Sequence, residues 1–296
     1  MAIKEKTFSA FQIDLHYIST RKQVQYDSTK WDGQIFGDML NRIYHLQETD
    51  KTLKFKDSWL MYLDYLEVDE HVIFGRFSSA GYGTNGALVH ADTLQKRPNP
   101  KNIREGEEQY TYFLIRKTDG LLLLQGHIQL NRGKVQEYFE RLGRPDLVLH
   151  NLTGINVCTL VDNDFFENIK ALTSVDNIFV EITSKEESDE NSAVKLMQKQ
   201  VDKLKATHIK LDFRAKYSRK GLSNVIPFIN EYKDKKGVTS IVVKGKLGLA
   251  EKSINLKESS EKYKRRIEVD RSNQPMIESV KTALVDVAGK RAALRR

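Results

Sequence analysis

Hydrophobic and polar positions alternate along 8–18, where Phe11, Ile13, Leu15 and Tyr17 fall on one side and Gln12, Asp14 and His16 on the other. A two-residue period of this kind predicts a half-buried strand. The period changes over 34–46, where Ile35, Phe36, Met39, Leu40, Ile43 and Tyr44 recur at helical spacing. Strands follow at 71–77, 110–116 and 121–129, the last two joined through Asp119-Gly120, a hairpin turn pair. A short amphipathic helix spans 133–142 and closes at Gly143, with Pro145 just beyond it.

From about 146 the rhythm becomes a regular exchange of strand and helix. Strand 154–161 leads to helix 164–172 and strand 177–183. The polar stretch Lys185-Glu186-Glu187-Ser188-Asp189-Glu190 opens a helix that runs to about Leu204, with Val194, Met197, Val201 and Leu204 as its apolar stripe. Strand 207–213, helix 221–232, strand 238–247 and helix 274–289 complete the chain. The pattern predicts an α+β protein of two domains, 1–148 and 149–296, with the Pro145 turn near the boundary. Their sheets are expected to be mixed or antiparallel, with helices packed mainly on one face.

Composition narrows this picture only a little. A hydrophobic content of 40% is enough to build cores, so the chain is expected to fold. Its one cysteine, Cys158, excludes an internal disulfide framework and a Cys-rich zinc site. Set among Ile155, Val157, Leu160 and Val161, it reads as a buried structural thiol. The longest aliphatic run, Leu121 to Leu124, is far short of the roughly 20 residues of a membrane span. With no apolar leader at the start, the expectation is a soluble, cytoplasmic protein.

Charge changes the picture more. Residues 201–296 hold 24 Lys and Arg against 11 Asp and Glu, a net of +13, while residues 1–200 hold 24 against 29, a net of −5. Such a split points to a polyanionic partner. Lys210 and Arg214 lie on a strand and its exit, and Lys216-Tyr217-Ser218-Arg219-Lys220-Gly221 places three cations, an aromatic and a hydroxyl before a helix, where free amides favour phosphate. Lys233, Lys235 and Lys236 share a turn. Lys244 and Lys246, two apart on a strand, project from one face. Lys262, Lys264, Arg265, Arg266 and Arg271 follow, and the chain closes on further basic residues. An ordinary solvated surface, balanced in space by the acidic part, would give the same count.

The candidate chemistry is thinner. Gly81-Tyr82-Gly83-Thr84-Asn85-Gly86 fits the dinucleotide fingerprint, but that site needs a helix to begin at the third glycine, and Pro98 and Pro100 cut short any helix there. It reads as a glycine-rich surface loop that could touch a phosphate backbone, and no cofactor is expected. Asp162-Asn163-Asp164 at a strand end is a pair that could hold Mg²⁺ in a nuclease; the plainer reading is a cap for the helix beginning at Phe165. The seven histidines form no i, i+4 pair, and His90-Ala91-Asp92 is the nearest approach to a metal motif. No nucleophile elbow, phosphate-binding lysine loop or H-E-x-x-H occurs. A basic amphipathic membrane helix is not evident either, since the final helix mixes Glu278, Lys281 and Asp286 on its polar face. Without a helix-turn-helix, zinc module or RNP aromatics, what remains is phosphate-dominated contact with little base readout.

In size, order of parts and charge placement the chain resembles the Rex-type phage-exclusion proteins. The residues that carry this are Ile73-Phe74-Gly75-Arg76-Phe77 leading to Gly81, then Ile209-Lys210-Leu211-Asp212-Phe213-Arg214 leading to Arg219, then a helical basic C-terminus. It is also similar to other bacterial defence proteins, such as the DNA-binding subunit of the Kiwa system. The resemblance implies a cytoplasmic homodimer that binds duplex DNA without sequence specificity and works with a membrane-protein partner. It brings no catalytic residues with it. The expectation is therefore a non-catalytic, sequence-independent double-stranded DNA-binding protein of phage exclusion or antiviral defence. The alternatives are a metal-dependent nuclease using Asp162 and Asp164, or a module that binds an acidic protein partner.

Overall fold

The computed structural model describes residues 2–21, 24–56, 58–183, 208–215, 221–235 and 238–294. The protein is α+β, with mostly antiparallel sheets. Its chain groups into two compact units that are not consecutive in sequence. The first comprises Met1–Phe8, Ile13–Ile155 and Tyr263–Arg296; the second comprises Ser9–Gln12 and Asn156–Lys262.

The elements of the first unit begin with β1 (Ala2–Arg21), β2 (Val24–Lys30) and α1 (Gly33–Tyr44). The alternation read at 8–18 holds along β1, where Ile13 and Leu15 are buried and Asp14 and His16 are not. Helix α1 starts where Asp32 accepts hydrogen bonds from the amides of Gln34 and Ile35, both at 3.0 Å, and it buries Phe36, Met39, Leu40 and Ile43. Next come β3 (Leu53–Phe55), β4 (Trp59–Val68), β5 (Val72–Gly81), the two-residue strands β6 (Leu88–Val89) and β7 (Lys96–Arg97), β8 (Glu108–Arg116) and β9 (Leu121–Gln125). Helices α2 (Arg132–Leu142) and α3 (Arg144–Leu149) follow. Periodicity misses β4 because the strand has a bulge between Leu63 and Tyr65, which moves later residues to the other face and breaks the alternation set by Trp59, Met61 and Leu63. Helix α3 replaces the plain turn expected at Pro145, a residue at home in a first helical turn.

The large sheet runs β10-β1-β9-β8-β5-β4-β3, where β10 is Gly154–Thr159, and β2 and β15 (Lys262–Val269) also pair with β1. Thr111–Ile115 and Leu121–Gln125 are buried at every position, so β8 and β9 are covered on both faces. On one face Phe77 and Phe113 stack at 4.8 Å, Tyr138 of α2 meets Phe77 edge-on at 5.2 Å, and Phe36 of α1 meets Phe139 edge-on at 5.2 Å. Gly75 lies directly under the Phe113 ring, where a Cβ would come within 2.3 Å of it. On the other face α6 (Ile277–Lys290) packs against β8 and β9. There the Tyr112 hydroxyl donates to the Pro275 carbonyl, and Arg116 donates to the carbonyls of Ala288 and Arg291 while pairing with Asp119. Burial acts to raise the Asp119 carboxyl, but hydrogen bonds from Arg116 and from the amides of Leu294 and Leu121 outweigh it and hold the group below the usual range. The helices of this unit are therefore not confined to one face, since α6 lies opposite α1 and α2. The unbroken Leu121 to Leu124 run, with no polar alternate position, is the physical sign of this.

In the second unit, α4 (Asn163–Lys170), β11 (Ser174–Thr183), β12 (His208–Arg214), α5 (Val225–Tyr232), β13 (Val238–Leu247) and β14 (Ala250–Asn255) build a four-stranded antiparallel sheet of order β12-β11-β13-β14. Here the helices do share one face. Phe165 and Ile169 of α4 and Val225 and Ile229 of α5 pack with Ile178, Val180 and Ile182 of β11 and Ile241 and Val243 of β13. Each such side chain contributes about 1.5–3 kcal/mol by leaving water. The helix expected to run to Leu204, with its acidic start at 185–190, lies outside the described residues. Strands β14 and β15 were not foreseen. The charge run at 262–266 masks an alternation of Tyr263, Arg265, Ile267 and Val269, which form a strand, while the helix expected at 274–289 is present as α6.

Candidate nucleic-acid interface

The alternate residues of β11, β12 and β13 that do not face α4 and α5 form the other side of the four-stranded sheet, its open face, which no helix of the described residues covers. Register places Asn177 between Arg214 and Lys244, and Phe179 between Asp212 and Val242. Glu181 stands between Lys210 and Ser240. On β14, Ser253 faces Lys244 and Glu251 faces Lys246. Lys210, Arg214, Lys244 and Lys246 are all exposed. The structure thus gathers four of the predicted basic residues on one surface, and the expected pairing of Lys244 with Lys246 on one strand face is met.

Acids interleave with these cations. Asp212 accepts two hydrogen bonds from the Arg214 guanidinium, at 2.8 and 2.5 Å. Arg214 holds that carboxyl below the usual range, and its own guanidinium is pushed up in return. The Lys244 ammonium lies 5.1 Å from the centroid of the Phe179 ring, so an aromatic face supports the cation with no acid opposite it in register. Asn177 Oδ1 is buried without a hydrogen-bond partner among the described residues, at the centre of the row that carries Arg214 and Lys244.

The other predicted basic residues do not join this surface. Lys216, Arg219 and Lys220 lie outside the described residues, as does Lys236. Helix α5 begins at Val225, four residues beyond Gly221, so the expected helix start directly after Lys220 is not made. Gly221 has φ +75° and its Cβ position would lie 2.6 Å from the Val175 carbonyl oxygen, which commits that turn to glycine. Lys233 is paired with Asp234, and Lys235 with Glu231 at 3.0 Å. Lys264, Arg265, Arg266 and Arg271 belong to the first unit. Lys264 pairs with Glu5 at 3.4 Å, Arg265 lies 3.7 Å from Asp286, and Arg266 and Arg271 are exposed.

This redistribution changes the meaning of the charge split. Counted over each unit's residues, Lys and Arg against Asp and Glu number 29 and 24 in the first and 19 and 16 in the second, nets of +5 and +3. The acidic front and basic tail are features of chain order. The fold mixes them, because Tyr263–Arg296 is part of the first unit.

The remaining candidates resolve plainly. The segment after Gly86 is an exposed stretch and a two-stranded ribbon, so no helix start is present to hold a pyrophosphate. Asp162 occupies the cap position of α4 but its side chain makes no capping hydrogen bond, while Asp164 sits in the first turn, where the helix dipole favours it. Burial, with the charges of Glu261 and Asp164, raises the Asp162 carboxyl. Among the described residues no group of three or more His, Cys, Asp or Glu is placed to hold a metal ion. The nitrogen Nδ1 of His90 accepts from the amides of Asp92 and Thr93, so that motif builds a turn. Cys158 is half-buried rather than buried. No helix among the described residues is long and apolar enough to cross a membrane.

One cluster escaped the sequence reading because its members come from three strands. Glu108 accepts from Ser78, Tyr62 and Tyr110, beside an Arg76–Asp64 ion pair whose guanidinium lies 4.1 Å from the Tyr110 ring centroid. The Glu108 hydrogen bond and burial push the Tyr110 phenol up to about 12, and the Ser78 hydrogen bond leads in lowering Glu108. Both shifts run away from neutral pH, so neither group is poised for proton transfer. No family model and no curated protein matches this chain.

Proposed function

We propose that the chain binds double-stranded DNA without regard to sequence, through phosphate contacts, and carries out no reaction on it. The observation that carries this reading is the open sheet face with Lys210, Arg214, Lys244 and Lys246 exposed on β12 and β13. A sheet fixes the spacing of its side chains, and alternate residues of one strand stand about 6.6 Å apart. Lysine is a point charge without the forked geometry that reads a base edge, and the one arginine of the set is already engaged by Asp212. Such a surface senses charge and not base identity. Glu181, Asp212 and Glu251 temper it, which suits binding that is reversible and dependent on salt. The setting we propose, on the resemblance to Rex-type proteins, is phage exclusion or antiviral defence, with a homodimer working beside a membrane partner.

The test is a titration of labelled duplexes of unrelated sequence over a range of salt. Phosphate contacts by the three cations of this face that no acid holds, Lys210, Lys244 and Lys246, contribute about −2.7 to the slope of log affinity against log salt. Reversing Lys244 and Lys246 together to Glu is expected to weaken binding more than about tenfold and to reduce the slope by about two. A duplex that is not bound at low salt overturns the reading, and so does a reversal that leaves both quantities unchanged.

A further inference from the structure

Residues 83–98 are exposed at every position, yet 88–97 within them form a two-stranded ribbon. Leu88 pairs with Arg97 and Val89 with Lys96, the amides of His90 and Leu94 donate to the carbonyls of Gln95 and His90, and His90 Nδ1 closes the turn. The tip is unusual in two ways. Leu94 is 71% exposed, and it holds φ +54°, a left-handed conformation that Gly or Asn would adopt at lower cost. Val89 and Ile103 are also more than half exposed. The segment 88–104 also carries Lys96, Arg97, Lys101 and Arg104, with Asp92 as its one acid, and Lys96 and Arg97 pair with Val89 and Leu88 in the ribbon.

We propose that this ribbon is a second DNA-contacting element, which enters the minor groove of duplex DNA and places Leu94 as a wedge between base pairs. The inference rests on the reading of the chain as a duplex DNA binder. An apolar wedge at the tip of a narrow arm with cations behind it is the combination that unstacks a base step and holds the bent backbone by its phosphates. The wedge reads deformability and not base identity, so it agrees with binding that is indifferent to sequence. Charge complementarity selects DNA over an apolar protein surface. The absence of Trp, Tyr and Phe from 88–104 argues against a bilayer interface, where aromatic anchors are favoured.

The experiment is energy transfer between dyes at the two ends of a duplex of about 30 base pairs, long enough to report a kink on the scale of a wedge-induced bend. Binding affinity is followed in the same titration. The wild-type protein is expected to shorten the end-to-end distance, and Leu94→Gly, which suits the local backbone, to bind with the distance unchanged. Lys96→Ala with Arg97→Ala is expected to reduce the salt slope by about two. The doubly reversed Lys244→Glu, Lys246→Glu protein still bends the DNA, but at higher protein concentration. Duplex bound without bending, or bending retained by Leu94→Gly, overturns the wedge and leaves the proposed function standing. Absence of any duplex binding overturns both. Binding of anionic phospholipid vesicles that Leu94→Gly abolishes, with duplex left unbent, assigns the ribbon to a membrane instead.

Discussion

The two faces of the four-stranded sheet are built from alternate residues of the same strands, and they have opposite compositions. One carries Ile178, Val180, Ile182, Ile241 and Val243 under α4 and α5; the other carries Asn177, Phe179, Glu181, Lys244 and Lys246. A half-buried strand meets its packing needs with one face, which leaves the other open to selection by what it meets outside. The open face has kept cations beside acids and one aromatic ring, and it has not become a second apolar layer. Its side chains are therefore replaceable without loss of the fold, whereas those of the covered face are not.

The largest expected effect tests that contrast directly. Ile241→Ala is expected to destabilise the protein by about 2–5 kcal/mol in urea denaturation, through lost transfer energy and the cavity left behind. Lys244→Ala, three residues along the same strand, is expected to stay within about 0.5 kcal/mol. Equal costs at the two positions would mean that the open face is packed and is not an interface. Phe179 falls between these cases, because its ring is half-buried and lies under the Lys244 ammonium. Phe179→Ala is expected to cost about 1 kcal/mol of stability and to weaken duplex binding several-fold, since Lys244 loses the platform that holds it. If affinity is unchanged, Lys244 binds without that support. The smallest effect concerns the acids. Asp212→Asn releases Arg214, so affinity for duplex should rise about three- to fivefold and the salt slope should steepen by roughly 0.9, with stability unaltered. No change in the slope would place Arg214 away from the DNA.

The open face and the Leu88–Arg97 ribbon were unequally legible in sequence. Lys244 and Lys246 declared themselves because a strand period fixes their common face. The ribbon did not, because its four cations are local and the acidic average of residues 1–200 hides them. A window of about 15 residues, with Pro98 and Pro100 marking a non-helical segment, is the signal that finds it. The glycine loop before it was read for what it is, an exposed connection, from the missing helix after Gly86. A bulge and dense charge account for two of the strands that periodicity missed, at Trp59–Val68 and Lys262–Val269.

Local pattern determined a good deal of this protein by itself: the α+β class, helix α1, the hairpin at Asp119-Gly120, strand β13 at 238–247, and the apolar stripes that form each core. These follow from backbone geometry and side-chain period, which act over a few residues. Tertiary structure decided which charges share a surface. Pairing across β11 set Arg214 and Lys244 on either side of Asn177, Asp212 captured Arg214, and the return of Tyr263–Arg296 to the first unit turned a net of −5 and +13 along the chain into +5 and +3 in space. Charge adds along a sequence in any order, but its field depends on distance, and only the fold sets distances.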